Sequence, residues 1–411
     1  MIAEPRISLK FTSLRAPDEN WRDGKNQMRF EFATATRIIF GPGAISQVGP
    51  LAKEFGRNAL VVTGRSPSRA KPLLDALHEA EVRVITFAVD GEPDLEMIRR
   101  GTELGKREQC QLVISFGGGS ALDAGKAIAA MLANDADVLD YLEIIGGGKT
   151  MSRSPAPFIA IPTTAGTGSE VTRNAVLASP ELRAKVSLRS PLILAKVALV
   201  DPELTWDLPP ALTASTGLDA LTQLIEPYVS TRANPMTDGF CVEGIGRAAR
   251  SLRAAFENGR NAAAREDMAL AGMLSGLALA NAGLGAVHGL AGAIGGMFSA
   301  PHGAICAVLL PRVMLANLAA LRSRDPANPA LPRYETVARL LTGRTNAQAD
   351  EGVEWVDKLA TDLRIPKLHS YGLASQEIAA LVEKAQNASS MKANPIVLTS
   401  RELAAVVESA I

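Results

Sequence analysis

The sequence predicts an α/β part built on a parallel sheet, followed by an all-helical part. From Phe40 to about Leu204, short apolar runs alternate with segments of helical spacing, which is the pattern of an α/β fold. Beyond Pro209 and Pro210, nearly every segment is rich in Ala and Leu at helical spacing. A length of 411 residues also suits two domains. We therefore expect a flexible tail over residues 1–28, an α/β domain over 29–205 and a helical domain over 206–411.

Continuous apolar runs mark the predicted strands, at residues 59–63, 82–89, 112–116 and 158–161. Continuous runs are expected where helices cover both faces of a parallel sheet. The predicted helices lie between these strands, near residues 73–79, 95–108 and 121–132, and a further helix covers 216–226.

Charge and cysteine usage limit the class of partner. Lys plus Arg equals Asp plus Glu at 43 each, so no global field favours nucleic acid or an anionic membrane, and a small-molecule partner is expected. Cys110, Cys241 and Cys306 stand far apart, which indicates buried thiols in a reducing, cytoplasmic compartment. The first 28 residues carry scattered charges and no continuous apolar run, which argues against a secretory signal.

A charge-free stretch over residues 268–311 is long enough to span a bilayer. It is built from Gly and Ala more than from Leu or Ile, and it carries Asn281, His288, Pro301 and His302, which are costly in lipid. We therefore predict central helices of a globular domain. Small residues there allow close backbone approach, and the absence of charge suits a dry active site.

Two loops at predicted strand ends indicate a dinucleotide site. The strand at 112–116 runs into Gly117-Gly118-Gly119-Ser120, and a helix with Asp123 and Lys126 in its first turns follows. Glycines let the backbone approach a phosphate, and a helix start offers free N–H groups to it. The loop 162–170, dense in Gly and hydroxyl groups, follows the next strand. Neighbouring loops of this kind form a crevice for a dinucleotide in an open sheet, whereas two ordinary polar loops are the alternative.

The residues after the first predicted strand bear on the choice of cofactor. The G-x-G-x-x-G fingerprint is absent, and Gly64, Arg65 and Arg69 stand where a ribose-binding carboxylate would exclude a 2′-phosphate. This pattern favours acceptance of NADP as well as NAD. A solvated basic turn is the alternative interpretation.

Candidate metal ligands lie in the helical part. Asp219 and Gln223 are four residues apart on a predicted helix, so both oxygens share one face. His288 and His302 lie in the charge-free stretch, and with Asp219 they suit a divalent metal that keeps an open position. A hydrogen-bonded core histidine is the alternative for each. His78 and His369 are expected at the surface.

Taken together, these motifs resemble the iron-containing (group III) alcohol dehydrogenases from about residue 36 to the end. The shared motifs, in the family's order, are Phe40-Gly41-Pro42-Gly43-Ala44, Gly117–Ser120 with Asp123 and Lys126, the loop 162–170, the helix 219–226, and His288 with Pro301-His302-Gly303. The resemblance implies the dehydroquinate synthase-like fold, with a cofactor in the cleft, a metal on the helical side, and often a homo-oligomer such as a dimer. The implied cofactor contacts are Gly118, Gly119, Ser120, Thr163, Thr164, Thr167 and Lys185, beside Gly64 and Asp123 from the motifs above. The implied metal ligands are Asp219, Gln223, His288 and His302.

Two positions depart from the family's pattern. Gln223 stands where the family usually has a histidine ligand, and an amide oxygen is a weaker donor than imidazole for Fe²⁺ or Zn²⁺. Gly292 stands where many members carry a further histidine, so proton exchange is expected to use water or the cofactor's ribose.

The resulting expectation is an NAD(P)-dependent, metal-assisted oxidoreductase that interconverts a small alcohol and its aldehyde or ketone, with Asp219, His288 and His302 at the reacting centre. Two alternatives stay open. Gln223 favours a metal-independent reductase resembling the maleylacetate reductases, and a catalytically silent nucleotide-binding protein is the alternative of another class.

Overall fold

The fold combines one parallel sheet, a β-hairpin and a large set of helices. The computed structural model describes residues 29–143, 146–179 and 184–411, and the tail expected over residues 1–28 lies outside them. Phe32–Ile411 forms one compact unit. Within the described residues, the strands end by Val200 and the long helices follow from Pro210. The division at residue 206 stays a prediction.

The strands are β1 (Arg37–Phe40), β2 (Asn58–Thr63), β3 (Arg83–Ala88), β4 (Leu112–Gly117), β5 (Phe158–Pro162), β6 (Asn174–Ser179), β7 (Ala184–Arg189) and β8 (Val197–Val200). Six of them form a sheet in the order β1-β8-β5-β4-β2-β3, and β6 pairs with β7 as an antiparallel hairpin. Every pairing in the six-stranded sheet is parallel. The four predicted strands are confirmed. The apolar pattern did not predict β1 and β8, which have only four residues each, or the hairpin.

The order of the strands reverses at β2. The chain passes from β2 to β3 on one side, and β4 then returns to the other side of β2. Ligands of open α/β sheets bind at such a reversal, outside the carboxyl ends of the strands. Gly64 follows β2 and Gly118 follows β4, so both predicted loops lie at this edge. The loop after β5 is next to them, because β5 pairs directly with β4.

The helices are α1 (Val48–Lys53), α2 (Lys71–Glu79), α3 (Leu95–Arg107), α4 (Gly119–Ala133), α5 (Pro210–Val229), α6 (Pro235–Glu257), α7 (Ala262–Ala282), α8 (Ala286–Met297), α9 (His302–Arg324), α10 (Ala330–Thr342), α11 (Ala349–Asp362), α12 (Ile378–Gln386) and α13 (Ser400–Glu408). The sheet is covered on both faces, as predicted. Leu60 and Val62 of β2 belong to one core cluster, whereas Val61 between them belongs to the other.

The charge-free stretch forms most of α7, all of α8 and the start of α9, and most of it lies in the interior. By length and composition α9 qualifies as a membrane span, but 78% of its apolar window is buried inside the protein. The helices α7 and α8 qualify only as a pair, and they bend by 100°. A buried core helix has these properties. The glycines of α7 also act as predicted, since Gly276 approaches the loop after β5: a Cβ at Gly276 would lie 2.3 Å from the Gly168 carbonyl oxygen.

Candidate active site

The Gly-rich loop after β4 forms a narrow cradle at the start of α4. Gly118 caps this helix, Gly119 is its first residue, and Ser120 follows. A Cβ at Gly119 would lie 2.9 Å from Cγ2 of Thr167, and a Cβ at Gly118 would lie 3.3 Å from Cγ2 of Thr164. The two predicted loops therefore touch. The lack of side chains leaves the N–H groups of the α4 start accessible to an anion.

Asp123 and Lys126 are engaged with protein groups behind this cradle. The Asp123 carboxylate accepts hydrogen bonds from Ser169 Oγ at 2.5 Å and from the Val176 N–H at 3.0 Å. Lys126 is buried and donates to Thr172 Oγ1 at 2.9 Å and to a hairpin carbonyl at 2.7 Å. Burial lowers the pKa of Lys126. These contacts fasten the loop after β5 and the hairpin to α4, so Asp123 holds these two segments in place.

At the end of β2 the structure places a carboxylate that was not predicted from the sequence, Asp90. Among the described residues, a Cβ at Gly64 would meet no heavy atom within 4 Å. The neighbouring Arg65 pairs with Asp90 at 2.5 Å, and both side chains are exposed. Asp90 follows β3, the neighbour of β2, so the parallel pairing brings the two together. Its place directly after a predicted strand was the available signal.

Lys185 connects the hairpin to the helical side of the cleft. It lies on β7, forms an ion pair with Glu92, and keeps 13% of its side chain exposed. A Cβ at Gly295 of α8 would lie 3.1 Å from its Nζ atom. A cation is thereby held beside the helix that carries His288.

The predicted metal ligands from three helices converge. Asp219 lies on α5, His288 on α8, and His302 at the first residue of α9. Asp219 Oδ1 is 3.6 Å from His288 Nε2 and 3.9 Å from His302 Nε2. Gly303 permits this approach, since a Cβ there would lie 2.2 Å from the Ser215 carbonyl oxygen of α5.

The electrostatics of this cluster favour a cation. Asp219 is 2% exposed, and its Oδ1 atom has no hydrogen-bond partner among the described residues. Burial opposes its charge, but His288 and His302 outweigh that effect and lower its pKa. Burial lowers the pKa of His302, which keeps its imidazole neutral and able to act as a ligand. For His288, contacts with Cys306, Asp219 and Glu226 outweigh burial and raise the pKa.

Gln223 shares the predicted face with Asp219, but its amide nitrogen points to the carboxylate. Gln223 Nε2 donates to Asp219 Oδ2 at 3.0 Å, and Ser275 Oγ lies 2.9 Å from Gln223 Oε1. Turning the amide over would set its oxygen against the carboxylate oxygen, so the hydrogen-bond network fixes this orientation. Gln223 therefore orients Asp219 here.

Two further residues of the cluster were missed from sequence. Glu226 Oε2 lies 2.6 Å from His288 Nδ1, and Oε1 accepts the Val287 N–H at 2.7 Å. Cys306 Sγ lies 3.9 Å from His288 Nε2 and 3.6 Å from His302 Nε2. Burial raises the pKa of Cys306 to about 12. Helical spacing was the available signal, because Glu226 follows Gln223 by three residues and Cys306 follows His302 by four.

The remaining cysteines and histidines lie apart from the cluster. Cys241 is buried as predicted, whereas Cys110 is only partly buried and corrects the expectation of three buried thiols. His78 and His369 are exposed, as predicted. Gly292 lies on α8. A Cβ at this residue would meet no heavy atom within 4 Å in the described chain, so there is open space at this point of the helix.

Two family models cover the chain almost completely. The iron-containing alcohol dehydrogenase model matches residues 35–202, and the C-terminal model of the Fe-containing alcohol dehydrogenase family matches residues 213–411. The chain belongs to the iron-containing alcohol dehydrogenase family. Its members are oxidoreductases, and the family implies NAD(P) and a divalent metal.

Similar proteins agree with this membership. A 1,3-propanediol dehydrogenase of Klebsiella pneumoniae is 36% identical over 394 residues, which is 93% of this chain and 98% of the relative. Alcohol dehydrogenase 4 of Saccharomyces cerevisiae is 34% identical over 380 residues, which is 90% of this chain and 96% of the relative. A crystal structure of a 1,3-propanediol oxidoreductase superposes with a TM-score of 0.87 at 35% sequence identity. The superposition covers 93% of this chain and 100% of that chain.

Proposed function

We propose that this family member interconverts a small primary alcohol and its aldehyde by hydride exchange with NAD(P), assisted by a divalent metal at Asp219, His288 and His302. One observation carries the metal assignment. Asp219 Oδ1, a buried carboxylate oxygen with no hydrogen-bond partner in the described part of the chain, faces two imidazole nitrogens at 3.6 and 3.9 Å. A buried anion of this kind is costly unless a cation compensates it.

The residues present fit a divalent ion of the Fe²⁺ or Zn²⁺ type. Imidazole nitrogen and carboxylate oxygen are ligands of both metals. When bound, such an ion supplies Lewis acidity that favours the alkoxide form of an alcohol and polarises a carbonyl group. Glu226 accepts the Nδ1 proton of His288 and so directs the Nε2 lone pair of that imidazole into the cluster.

For the cofactor, we propose that Gly118, Gly119 and Ser120 hold the pyrophosphate at the start of α4. The support is the narrow cradle, which a Cβ at Gly119 would obstruct at 2.9 Å. Thr163, Thr164, Thr167 and Lys185 complete the contacts that the family resemblance implies.

We propose that NADP(H) is accepted as well as NAD(H). Gly64 leaves the end of β2 open and uncharged, and Arg65 offers a cation nearby. Because Asp90 already pairs with Arg65, the arginine must share its charge between this carboxylate and a 2′-phosphate.

The substrate side of the proposal rests on open space beside α8. Gly292 leaves this position without a side chain, which suits proton exchange through water or the cofactor's ribose. A homodimer in a reducing cytoplasm also belongs to the proposal, on the family resemblance and on three cysteines that are free of disulfides.

A panel of C2 to C6 alcohols and aldehydes, assayed with both cofactors, tests this function. Activity is measured before and after chelation, and again after addition of Zn²⁺ or Fe²⁺. We expect chelation to abolish turnover and metal to restore it, while Asp219→Ala and His288→Ala lose both metal and activity. His78→Ala is the matched control, because His78 is exposed on α2. Full activity in a metal-free sample would instead support the metal-independent reductase that Gln223 favours.

A further inference from the structure

Cys306 occupies a place in the metal cluster that neither the ligand pattern of the family resemblance nor the proposed function assigns. It lies on α9, one turn after His302, and it is fully buried. Its sulfur faces the Nε2 atoms of His288 and His302, which Asp219 Oδ1 also faces. One potential ligand atom each from Asp219, His288, His302 and Cys306 lies within 4.8 Å of all the others.

Four of the six separations in this set are close to those between neighbouring ligands on one ion. Bonds of about 2.0–2.1 Å for nitrogen or oxygen and about 2.3 Å for sulfur imply separations of about 3.4 Å between nitrogen and oxygen and about 3.6 Å between sulfur and nitrogen. The sulfur lies 3.6 and 3.9 Å from the two imidazole nitrogens, and the Asp219 oxygen lies 3.6 and 3.9 Å from them. These four separations therefore exceed the ligand values by at most about half an ångström. The other two, between the imidazole nitrogens and between Asp219 and Cys306, are within 4.8 Å.

Gln223, by contrast, points its amide nitrogen, and not its oxygen, at Asp219. Its nitrogen donates to Asp219 Oδ2 at 3.0 Å, and an amide nitrogen has no lone pair for a metal. A glutamine that orients the aspartate leaves the fourth ligand position to a different residue.

We propose that Cys306 is a metal ligand, which completes an Asp219, His288, His302 and Cys306 set in place of Gln223. This proposal rests on the metal site of the proposed function. On binding, the thiol releases its proton to solvent, and the sulfur lone pair forms the bond to the ion. Thiolate is a preferred ligand of Zn²⁺, and its charge together with that of Asp219 neutralises a buried dication.

Cobalt(II) provides a readout that is independent of activity. The full-length protein is stripped with a chelator and loaded with Co²⁺, and its near-ultraviolet spectrum and cobalt content are recorded. We expect a thiolate-to-cobalt charge-transfer band in the wild type. Cys306→Ser and Cys306→Ala should lose this band and bind Zn²⁺ roughly tenfold or more weakly.

The matched control is Cys241→Ser, which alters a buried thiol outside the cluster and should keep the band. Circular dichroism checks that each variant is folded, and the wild-type spectrum tests the ligand without any substitution.

The outcomes distinguish ligation by Cys306 from the metal-assisted function. Cobalt binding without the band, or a band that survives in Cys306→Ser, would overturn thiolate ligation and leave the metal-assisted function standing. Failure of the wild type to take up Co²⁺ or Zn²⁺ would overturn both.

Discussion

Glu226→Gln tests whether the second carboxylate of α5 controls the tautomer of His288. In the wild type, Glu226 Oε1 accepts the Val287 N–H at 2.7 Å while Oε2 lies 2.6 Å from His288 Nδ1. A glutamine that keeps its oxygen on the Val287 N–H must turn its NH₂ group toward Nδ1. The imidazole must then accept at Nδ1 and carry its proton on Nε2, which removes the lone pair that a metal needs.

The magnitude follows from the group that is left without a partner. A metal on His288 Nε2 requires the proton on Nδ1. In Glu226→Gln, the Nδ1–H then faces the NH₂ group of the glutamine, or the amide turns over and leaves the Val287 N–H without an acceptor. One unsatisfied buried donor costs about 1–3 kcal/mol. Loss of an outer partner of a ligating histidine typically lowers metal affinity by about 10–100-fold, or about 1.4–2.7 kcal/mol. The cost of the unsatisfied donor therefore agrees with the expected loss of metal-binding free energy.

The assay is a competition for Zn²⁺ between the protein and a chelating dye. We expect weaker binding by Glu226→Gln by about 10–100-fold. Glu170→Gln is the matched control, because Glu170 is equally buried but lies in the loop after β5. If Glu226→Gln binds Zn²⁺ as tightly as the wild type does, the carboxylate does not set the tautomer.

Three further predictions concern the cofactor loops. Gly119→Asp should weaken cofactor binding at least about tenfold, or about 1.4 kcal/mol, by setting a carboxylate against the pyrophosphate, and unchanged affinity in a fluorescence titration would contradict the cradle. Gly64→Asp should shift the kcat/KM preference from NADP(H) toward NAD(H) by repelling the 2′-phosphate, and a wild type that binds only NAD(H) would refute this argument. Burial raises the pKa of Glu170 to about 7 from 4.5. The unfolded chain therefore ionises first, and stability falls as pH rises between these values. Glu170→Gln should remove this dependence and add about 3 kcal/mol at pH 8, measured by urea unfolding at pH 5 and 8.

The sequence by itself determined the fold class and most of the site. Continuous apolar runs predicted β2 to β5, because helices cover both faces of the sheet and most side chains of these strands are therefore apolar. The Gly-rich cradle was also visible, since it follows a strand and opens a helix within a few residues. Asp219 was recognisable with His288 and His302, because a carboxylate and two histidines in apolar helices are rare enough to stand out.

Only the tertiary structure decided what these side chains face. Asp90 reaches Arg65 through the pairing of β2 with β3, and the sequence does not state which strands are neighbours. Helical spacing placed Gln223 beside Asp219, but the choice between its oxygen and its nitrogen depended on the Asp219 carboxylate and on Ser275 of α7. From the sequence, Cys306 was predicted only to be a buried thiol. The packing of α8 against α9 places its sulfur beside His288 and His302. Contacts between distant segments fix these roles, and a linear pattern contains no information about such distances.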